Sequence, residues 1–311
     1  MSRIINVAAA QLGPIQKSDS KRDVIDRLLA HMYNAHRMGC DVVVFPELAL
    51  TTFFPRWYME DPEELNAFYE TEMPGPLTQV LFDTAKKLGV GFCLGYAELS
   101  KEEDRYHRYN TSILVGKDSR IIGKYHKVHL PGHQEHEPWR EFQHLEKRYF
   151  EAGKKFSVWP AFNGIFGMAL CNDRRWSETY RVLALQGAEM ILLGYNTPVH
   201  NPPAPEHDDL SMFHNRLVMQ AGAYQNGTWV VGVAKAGNEE NCEMIGGTCI
   251  IAPSGEVVAA CSTKGDELAI ASCDLDLCTS YKSTIFNFEK HRRPEAYGLI
   301  TAQKGAIIPQ F

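Results

Sequence analysis

The sequence lacks the features that mark several large classes of protein. None of its eight cysteines belongs to a CxxC pair, so the common redox and zinc-ribbon motifs are missing. No stretch approaches the ~20 apolar residues of a membrane helix, and the apolar part of "MSRIINVAAAQLGP" is too short for a signal peptide. Acidic residues outnumber basic ones, 38 to 32, which argues against a nucleic-acid partner. We expect a cytoplasmic protein that binds neither membranes nor nucleic acid.

Three further signatures are missing, those of serine hydrolases, phosphate-binding loops and dinucleotide-binding domains. The sequence contains no GxSxG, no GxxxxGK[ST] and no GxGxxG after a strand.

Five histidines lie close together at 126, 129, 133, 136 and 144, and a zinc site is the rival interpretation of this cluster. Pro131 and Gly132 interrupt any helix there, and no HExxH is present. A second group, His200, His207, Asp208 and Asp209, lies in a proline-rich segment typical of a solvated loop. We therefore predict neither a metal nor a cofactor.

The chain alternates short β-branched runs with longer amphipathic stretches, which indicates an α/β fold. The pattern predicts helices at 21–38 and about 76–88, with strands in "DVVVFPE" and "GVGFCLGYAEL". "GKDSR" predicts a hairpin turn, and a second α/β passage begins near "GIFGMALC", with Ser177 as the N-cap of its first helix. No linker composition divides the chain, so we predict one domain over residues 1–311 in which helices cover stacked sheets.

Three apolar runs end on residues that could share an active site. "DVVVFPE" ends on Glu47, "IIGKYHK" on Lys127 and "IFGMALC" on Cys171. A thiol near its ordinary pKa is mostly protonated at neutral pH, and a carboxylate such as Glu47 can act as its general base. Lys127 and the backbone N–H of Asn172 can stabilise an oxyanion. Taken singly, these residues have ordinary alternatives as a surface turn, a solvated charge and a core cysteine.

Longer motifs carry a resemblance to a known family. "VVVFPELALTTFFPRW", "GKYHKVHLPGH", "LCNDRRW" and "GYNTPVHNPP" resemble the carbon-nitrogen hydrolase, or nitrilase, superfamily, whose members carry a Glu-Lys-Cys triad in this chain order. The likeness continues to "IFNFEKHRRPEAYGLI" and is greatest to the branch that hydrolyses N-carbamoyl-D-amino acids. One departure is Ser177, where the family pattern leads us to expect proline.

The resemblance implies a four-layer α-β-β-α sandwich and a metal-free thiol mechanism. It also implies assembly into a homodimer or homotetramer. The triad corresponds to Glu47, Lys127 and Cys171, and the second carboxylate of the family corresponds to Glu146, which by sequence alone could be a surface charge. The resemblance further implies that three histidines support the site, and these are His129, His144 and His214.

Arg174 and Arg175 point to a substrate that carries a carboxylate, because a guanidinium can bind such a group in a bidentate manner. The alternative is an ion pair with Asp173 or another acidic residue. Asn196 ends "ILLGYN" and is a second candidate ligand for the carboxylate or the ureido group. We expect hydrolysis of an N-carbamoyl-D-amino acid to the D-amino acid, carbon dioxide and ammonia. The alternatives are another carbamoyl or amide substrate, such as β-ureidopropionate, and a catalytically silent protein that binds amino-acid-like ligands.

Overall fold

A computed structural model describes residues 2–140 and 142–309. Within this part of the chain, the strands form two six-stranded sheets and one two-stranded sheet. The strands are β1 (Ile4–Gln11), β2 (Val42–Val44), β3 (Gly91–Glu102), β4 (Arg105–Val115), β5 (Ile121–His126), β6 (Val158–Ala161), β7 (Gly164–Leu170), β8 (Met190–Tyr195), β9 (Trp229–Ala234), β10 (Ala236–Glu239), β11 (Cys242–Ile245), β12 (Cys249–Ile251), β13 (Val257–Ala260) and β14 (Glu267–Asp274). The α-helices are α1 (Lys21–Arg37), α2 (Pro62–Asn66), α3 (Gln79–Leu88), α4 (Glu146–Tyr149), α5 (Ser177–Leu185), α6 (Ser211–Asn226), α7 (Leu277–Ser283), α8 (Phe288–His291) and α9 (Gly298–Ala302).

The two large sheets have the same plan. The first has the order β14-β1-β2-β3-β4-β5 and the second the order β13-β12-β9-β8-β7-β6. In the first, β1, β2 and β3 are parallel, and in the second β7, β8 and β9 are parallel. Antiparallel strands flank both parallel centres. Strands β10 and β11 form the small third sheet.

The strand residues alternate between two apolar layers, as the two-residue period of a strand requires. Val42 and Val44 pack in the core between the sheets, where they join Met168 and Leu170 of the second sheet. Val43 faces the opposite way, into the layer formed with α1 and α3. Helices α5 and α6 cover the outer face of the second sheet in the same manner. The order of layers is α-β-β-α, which confirms the predicted fold class.

Most predicted elements agree with the structure to within a few residues. Helix α1 and the β4–β5 hairpin lie where the sequence places them, whereas β2 is shorter than the run "DVVVFPE". The predicted N-cap is wrong by one position: α5 begins at Ser177 itself, whose hydroxyl donates to the Glu178 carboxylate at 3.1 Å. Over the described ranges 2–140 and 142–309, the structure has no helix with the length and apolarity needed to span a membrane. The single domain over residues 1–311 stays a prediction.

Candidate active site

Four polar residues that follow strands meet between the two large sheets. Glu47 lies three residues after β2, and Lys127 directly follows β5, both in the first sheet. Cys171 directly follows β7 and Asn196 directly follows β8, both in the second sheet. The Asn196 N–H donates to Glu47 Oε2 at 3.0 Å, and its side-chain amide donates to the Glu47 carbonyl at 2.8 Å. The strand ends therefore bring residues that are far apart in sequence into one site.

Two glycines allow the backbone of Glu47 to lie between the sheets. A Cβ atom on Gly95 of β3 would lie 2.5 Å from the Pro46 carbonyl oxygen. A Cβ atom on Gly194 of β8 would lie 2.5 Å from the Glu47 nitrogen. Neither distance is compatible with a side chain, so glycine is required at both positions. The result is that the Glu47 carboxylate is fully buried.

Lys127 lies between two buried carboxylates. Its Nζ donates to Glu47 Oε1 at 2.7 Å and to Glu146 Oε2 at 2.6 Å, and all three side chains are fully buried. The Asn110 side-chain amide also donates to Glu47 Oε1, at 2.8 Å. His144 Nε2 lies 2.9 Å from Glu146 Oε1. Glu146 is thus part of a buried charge network rather than a surface residue.

The environments of the two carboxylates move their pKa values apart. Burial raises the pKa of Glu47, and the charge of Glu146 acts in the same direction against that of Lys127. Burial also acts to raise the pKa of Glu146, but the Lys127 charge and the hydrogen bond from His144 outweigh it and lower that pKa. The pKa of Lys127 is raised, because the charges of Cys171, Glu146 and Glu47 outweigh its burial. Glu47 can therefore exchange a proton, while Glu146 stays ionised and keeps Lys127 charged.

Cys171 has a constrained backbone and a buried thiol. Its φ of 44° lies in the left-handed region, which non-glycine residues rarely adopt. The thiol is 5% exposed, and its Sγ lies 3.3 Å from the Asn196 carbonyl oxygen. Burial and then the charge of Glu47 raise the thiol pKa, whereas Lys127 and Arg174 act to lower it. A thiol in this setting needs a neighbouring base to become a nucleophile.

Arg174 lies behind the nucleophile and not in the substrate cavity described below. Its Nε donates to Asn215 Oδ1 at 2.9 Å, Nη1 to the Cys171 carbonyl at 2.7 Å and Nη2 to Thr197 Oγ1 at 2.8 Å. The guanidinium also lies 4.3 Å from the centre of the Tyr195 ring. Since every guanidinium nitrogen is engaged within the protein and the side chain is 1% exposed, Arg174 fixes the backbone of Cys171.

Arg175 has a different environment from Arg174, although the sequence analysis interpreted the two arginines as a pair. Its side chain is exposed and lines the cavity that reaches Cys171. Desolvation in the cavity wall, together with the charge of Arg174, lowers the pKa of Arg175. Within residues 2–140 and 142–309, neither Arg174 nor Arg175 forms an ion pair with a carboxylate. The cavity wall therefore carries a guanidinium that is available to an anion.

Asp173 does not form the alternative ion pair with the arginines. Its carboxylate accepts the Tyr125 hydroxyl at 2.7 Å and the Leu170 N–H at 2.9 Å. It also accepts the His129 N–H at 2.9 Å and lies at the same distance from His129 Nδ1. Asp173 thus joins the ends of β5 and β7, and His129 acts on the site through it. Sequence reasoning considered Asp173 only as an ion-pair partner of the arginines, and it assigned no role to Asn110.

The cavity has a volume of about 480 Å³. Predicted site residues that line it are Cys171, Asn172, Arg175, Asn196, His144 and His214. The ring of His214 contacts the His207 ring edge-on, with centroids 6.4 Å apart. Among the aromatic residues, Phe53 lines the cavity, Phe54 stacks on Phe68 in a separate core, and Trp139 is exposed.

The clustered histidines bind separate partners. His126 lies 2.8 Å from Glu98, His133 lies 2.8 Å from the Glu135 carbonyl, and His136 stacks on Tyr58. His129 and His144 bind Asp173 and Glu146, as described above. In the part of the chain that the structure describes, no three His, Cys, Asp or Glu side chains are grouped as metal ligands.

Comparison with known proteins places the chain in a family. A family model described as Carbon-nitrogen hydrolase matches residues 6–283. The chain belongs to the carbon-nitrogen hydrolase family. This hydrolase is 29% identical to the N-carbamoylputrescine amidase of Solanum lycopersicum over 98% of this chain and 97% of the relative. It is also 29% identical to a nitrilase of Pyrococcus abyssi over 94% of this chain and 99% of the relative.

A solved structure supports the fold assignment. The carbon-nitrogen hydrolase of Helicobacter pylori G27 matches this hydrolase with a TM-score of 0.82 and 20% sequence identity. The match covers 97% of this chain and 99% of the other. At this identity the likeness shows the α-β-β-α fold and nothing about the substrate.

Proposed function

We propose that this carbon-nitrogen hydrolase cleaves the C–N bond of a small carbamoyl or amide compound that carries a carboxylate. The observation that carries the proposal is Arg175, which lines the cavity together with Cys171 and pairs with no carboxylate among the described residues. Cationic groups without carboxylate partners favour a negatively charged ligand. Among the cavity-lining residues that the structure describes, none is Asp or Glu.

In the proposed mechanism, Glu47 removes the proton from the Cys171 thiol, and the thiolate attacks the carbonyl carbon. Lys127 Nζ and the Asn172 N–H stabilise the oxyanion. Glu47 then returns its proton to the departing amine, which leaves a thioester on Cys171. Water, deprotonated by Glu47, cleaves the thioester and restores the thiol. For an N-carbamoyl amino acid the covalent intermediate is an S-carbamoyl cysteine, and its hydrolysis gives a carbamate that loses carbon dioxide and releases the second amine. Either order of amine departure therefore gives the amino acid, carbon dioxide and ammonia.

Two lines of support for the identity of the substrate favour different compounds. The sequence resemblance favours N-carbamoyl-D-amino acids, in which Arg175 would bind the carboxylate and Asn196 the carboxylate or the ureido group. The relatives favour the broader alternative, a different carbamoyl or amide compound, since one of them is named for N-carbamoylputrescine. Putrescine derivatives carry a cationic amine, which Arg175 would repel. We therefore propose an anionic carbamoyl substrate, with N-carbamoyl-D-amino acids and β-ureidopropionate as the first candidates.

The test is ammonia release from four compounds under identical conditions: the D and L forms of one N-carbamoyl amino acid, β-ureidopropionate and N-carbamoylputrescine. We expect the anionic compounds to be hydrolysed and the D form to have the highest kcat/KM. Faster turnover of the L or β compound would replace the D assignment, and faster turnover of N-carbamoylputrescine would overturn the anionic assignment. If no compound is hydrolysed, the catalytically silent binder becomes the better interpretation.

Replacing Arg175 by methionine should raise KM for the anionic substrate about 10- to 100-fold, because a charge-assisted hydrogen bond contributes about 1.5–3 kcal/mol. The effect on kcat should be smaller, since Arg175 contacts the carboxylate and not the reacting carbonyl. Arg175→Lys should recover part of the loss. Arg181→Met is the matched control, because Arg181 of α5 donates to the Gln225 carbonyl outside the cavity. Equal KM values for the Arg175→Met and Arg181→Met variants would contradict the assignment.

The homodimer or homotetramer stays a prediction, and exposed apolar side chains favour it. Leu185 of α5 is 47% exposed, and Phe213 and Leu217 of α6 are 59% and 48% exposed. We expect light scattering to give two or four times the mass of the chain. Leu217→Glu should lower that mass, because it places a charge on this surface. A monomeric wild-type protein would contradict the prediction.

A further inference from the structure

A second group of buried charges lies outside the proposed triad and the arginine pair. We name it the Glu239 cluster, and it consists of Arg56, Lys235 and Glu239. Glu239 Oε2 accepts Lys235 Nζ at 2.9 Å, and Oε1 accepts Arg56 Nη2 at 3.1 Å. Lys235 and Glu239 are fully buried, and Arg56 is 3% exposed. Buried charges are costly to desolvate, so a cluster of three requires a structural or functional reason.

The Glu239 cluster holds the segment 51–56 at both ends. Lys235 Nζ donates to the Thr51 carbonyl at 2.8 Å, and Arg56 donates to the Glu239 carbonyl through Nη1. Between these contacts, the Phe53 N–H donates to Glu239 Oε1 at 2.8 Å. Lys235 and Glu239 therefore both bind this short segment, and Arg56, the third member of the cluster, is its last residue. The segment lies in the loop that follows Glu47.

The segment 51–56 forms part of the cavity wall. Phe53 and Arg56 both line the cavity, together with Cys171. The Phe53 ring also meets the His144 ring edge-on, with centroids 5.6 Å apart and an interplanar angle of 76°. His144 in turn binds Glu146. The Glu239 cluster therefore reaches the cavity in two ways, through Phe53, which it holds, and through Arg56, which lines the cavity itself.

The charge of the cluster shows which members can be removed separately. It contains two cations and one anion, so the loss of Arg56 or of Lys235 leaves a balanced ion pair. The loss of Glu239 would leave two buried cations without a carboxylate, which is a severely unfavourable arrangement. Replacement of Lys235 is therefore the informative variant, since it leaves the Arg56–Glu239 pair in place and Lys235 does not line the cavity.

We propose that the Glu239 cluster positions the Phe53 wall of the cavity and thereby determines which substrate side chains fit. Lys235 and Glu239 are positioning residues in this proposal, because neither lines the cavity and both act through the segment that carries Phe53. The inference rests on the proposed function only for the choice of substrates. The position of the wall relative to Cys171 can be measured without any turnover.

The test compares Lys235→Met with wild type on two substrates that differ only in the side chain, N-carbamoylglycine and N-carbamoylphenylalanine. Lys235 is fully buried and does not line the cavity, so its replacement can act on the substrate only through the held segment. We expect the ratio of the two kcat/KM values to change on the order of tenfold, while kcat for the glycine compound stays near the wild-type value. Arg27→Met is the control, because Arg27 pairs with Asp266 away from the cavity. A general loss of stability would lower kcat/KM for both substrates by the same factor and leave the ratio unchanged.

A second readout keeps failure of the proposal distinct from failure of the proposed function. Cys171 is alkylated with iodoacetamide and with its bulkier N-benzyl derivative, and the ratio of the two rates is compared between variants. We expect Lys235→Met to lower the preference for the small reagent on the order of fivefold, because the wall is no longer held in place. An unchanged rate ratio in folded protein overturns the proposal, whether or not any carbamoyl compound is hydrolysed. If Lys235→Met does not fold, Lys235→Gln decides the same question.

Discussion

Replacing Cys171 by alanine is expected to lower kcat on the order of 10⁴-fold or more, because no other group would supply the nucleophile. The charges of Glu47 and Lys127 both act on the thiol, and Glu47 can take its proton. Alanine removes only the sulfur atom, so the fold and the arginine pair should stay in place. The measurement is ammonia release at saturating substrate, with circular dichroism to confirm that the variant is folded.

Cys249→Ala is the matched control for this replacement. Cys249 is fully buried in β12, and burial raises the pKa of its thiol to about 11. It does not line the cavity, so its variant should keep the wild-type kcat. Alkylation gives a second check, since protection by substrate should be lost in Cys171→Ala and kept in Cys249→Ala. Full activity of Cys171→Ala would remove the thiol mechanism altogether.

The sequence could indicate Glu47, Lys127 and Cys171 because each follows an apolar run, and polar residues at strand ends are where α/β proteins gather chemistry. The resemblance added Glu146, which sequence alone favours as a surface charge. The structure buries it completely and places it 2.6 Å from Lys127. The fold class was accessible for a similar reason, since continuous apolar strands need cover on both faces.

The sequence alone could not show in which direction each side chain of a tight turn points. Asp173, Arg174 and Arg175 lie in one 3₁₀ segment, where successive side chains point in different directions. Asp173 consequently faces His129 and Tyr125, Arg174 faces Asn215, and Arg175 faces the cavity.

The Glu239 cluster could not be anticipated from sequence for another reason. It joins Arg56 to a residue 183 positions away, and no short motif encodes such a contact. The only signal was a pair of charges, Lys235 and Glu239, at the ends of short strand-like runs. Charges in that setting are usually solvated.

Glu47→Gln is expected to lower kcat/KM about 10²- to 10⁴-fold, the usual contribution of a positioned general base. Glutamine can keep the hydrogen bonds from Asn110 and the Asn196 N–H only in part, and it cannot accept the thiol proton. The pH dependence of activity gives an independent test of this role. Because the pKa of Glu47 is raised above 4.5, its carboxyl is protonated at a higher pH than an ordinary glutamate. Wild-type activity should fall as the pH drops through that raised pKa, and Glu47→Gln should lack this fall.

Glu146→Gln distinguishes the roles of the two carboxylates, because it should shift the pH profile of activity rather than remove its acid limb. The negative charge of Glu146 raises the pKa of Glu47, and Lys127 lowers it. Replacing Glu146 removes its repulsion of the Glu47 charge and leaves Lys127 paired with Glu47 alone. Both effects stabilise the ionised form of Glu47. The acid limb should therefore move to lower pH in Glu146→Gln, whereas in Glu47→Gln it should disappear. An acid limb that stays in place in Glu146→Gln, or that persists in Glu47→Gln, would show that Glu47 is not the group whose ionisation starts the reaction.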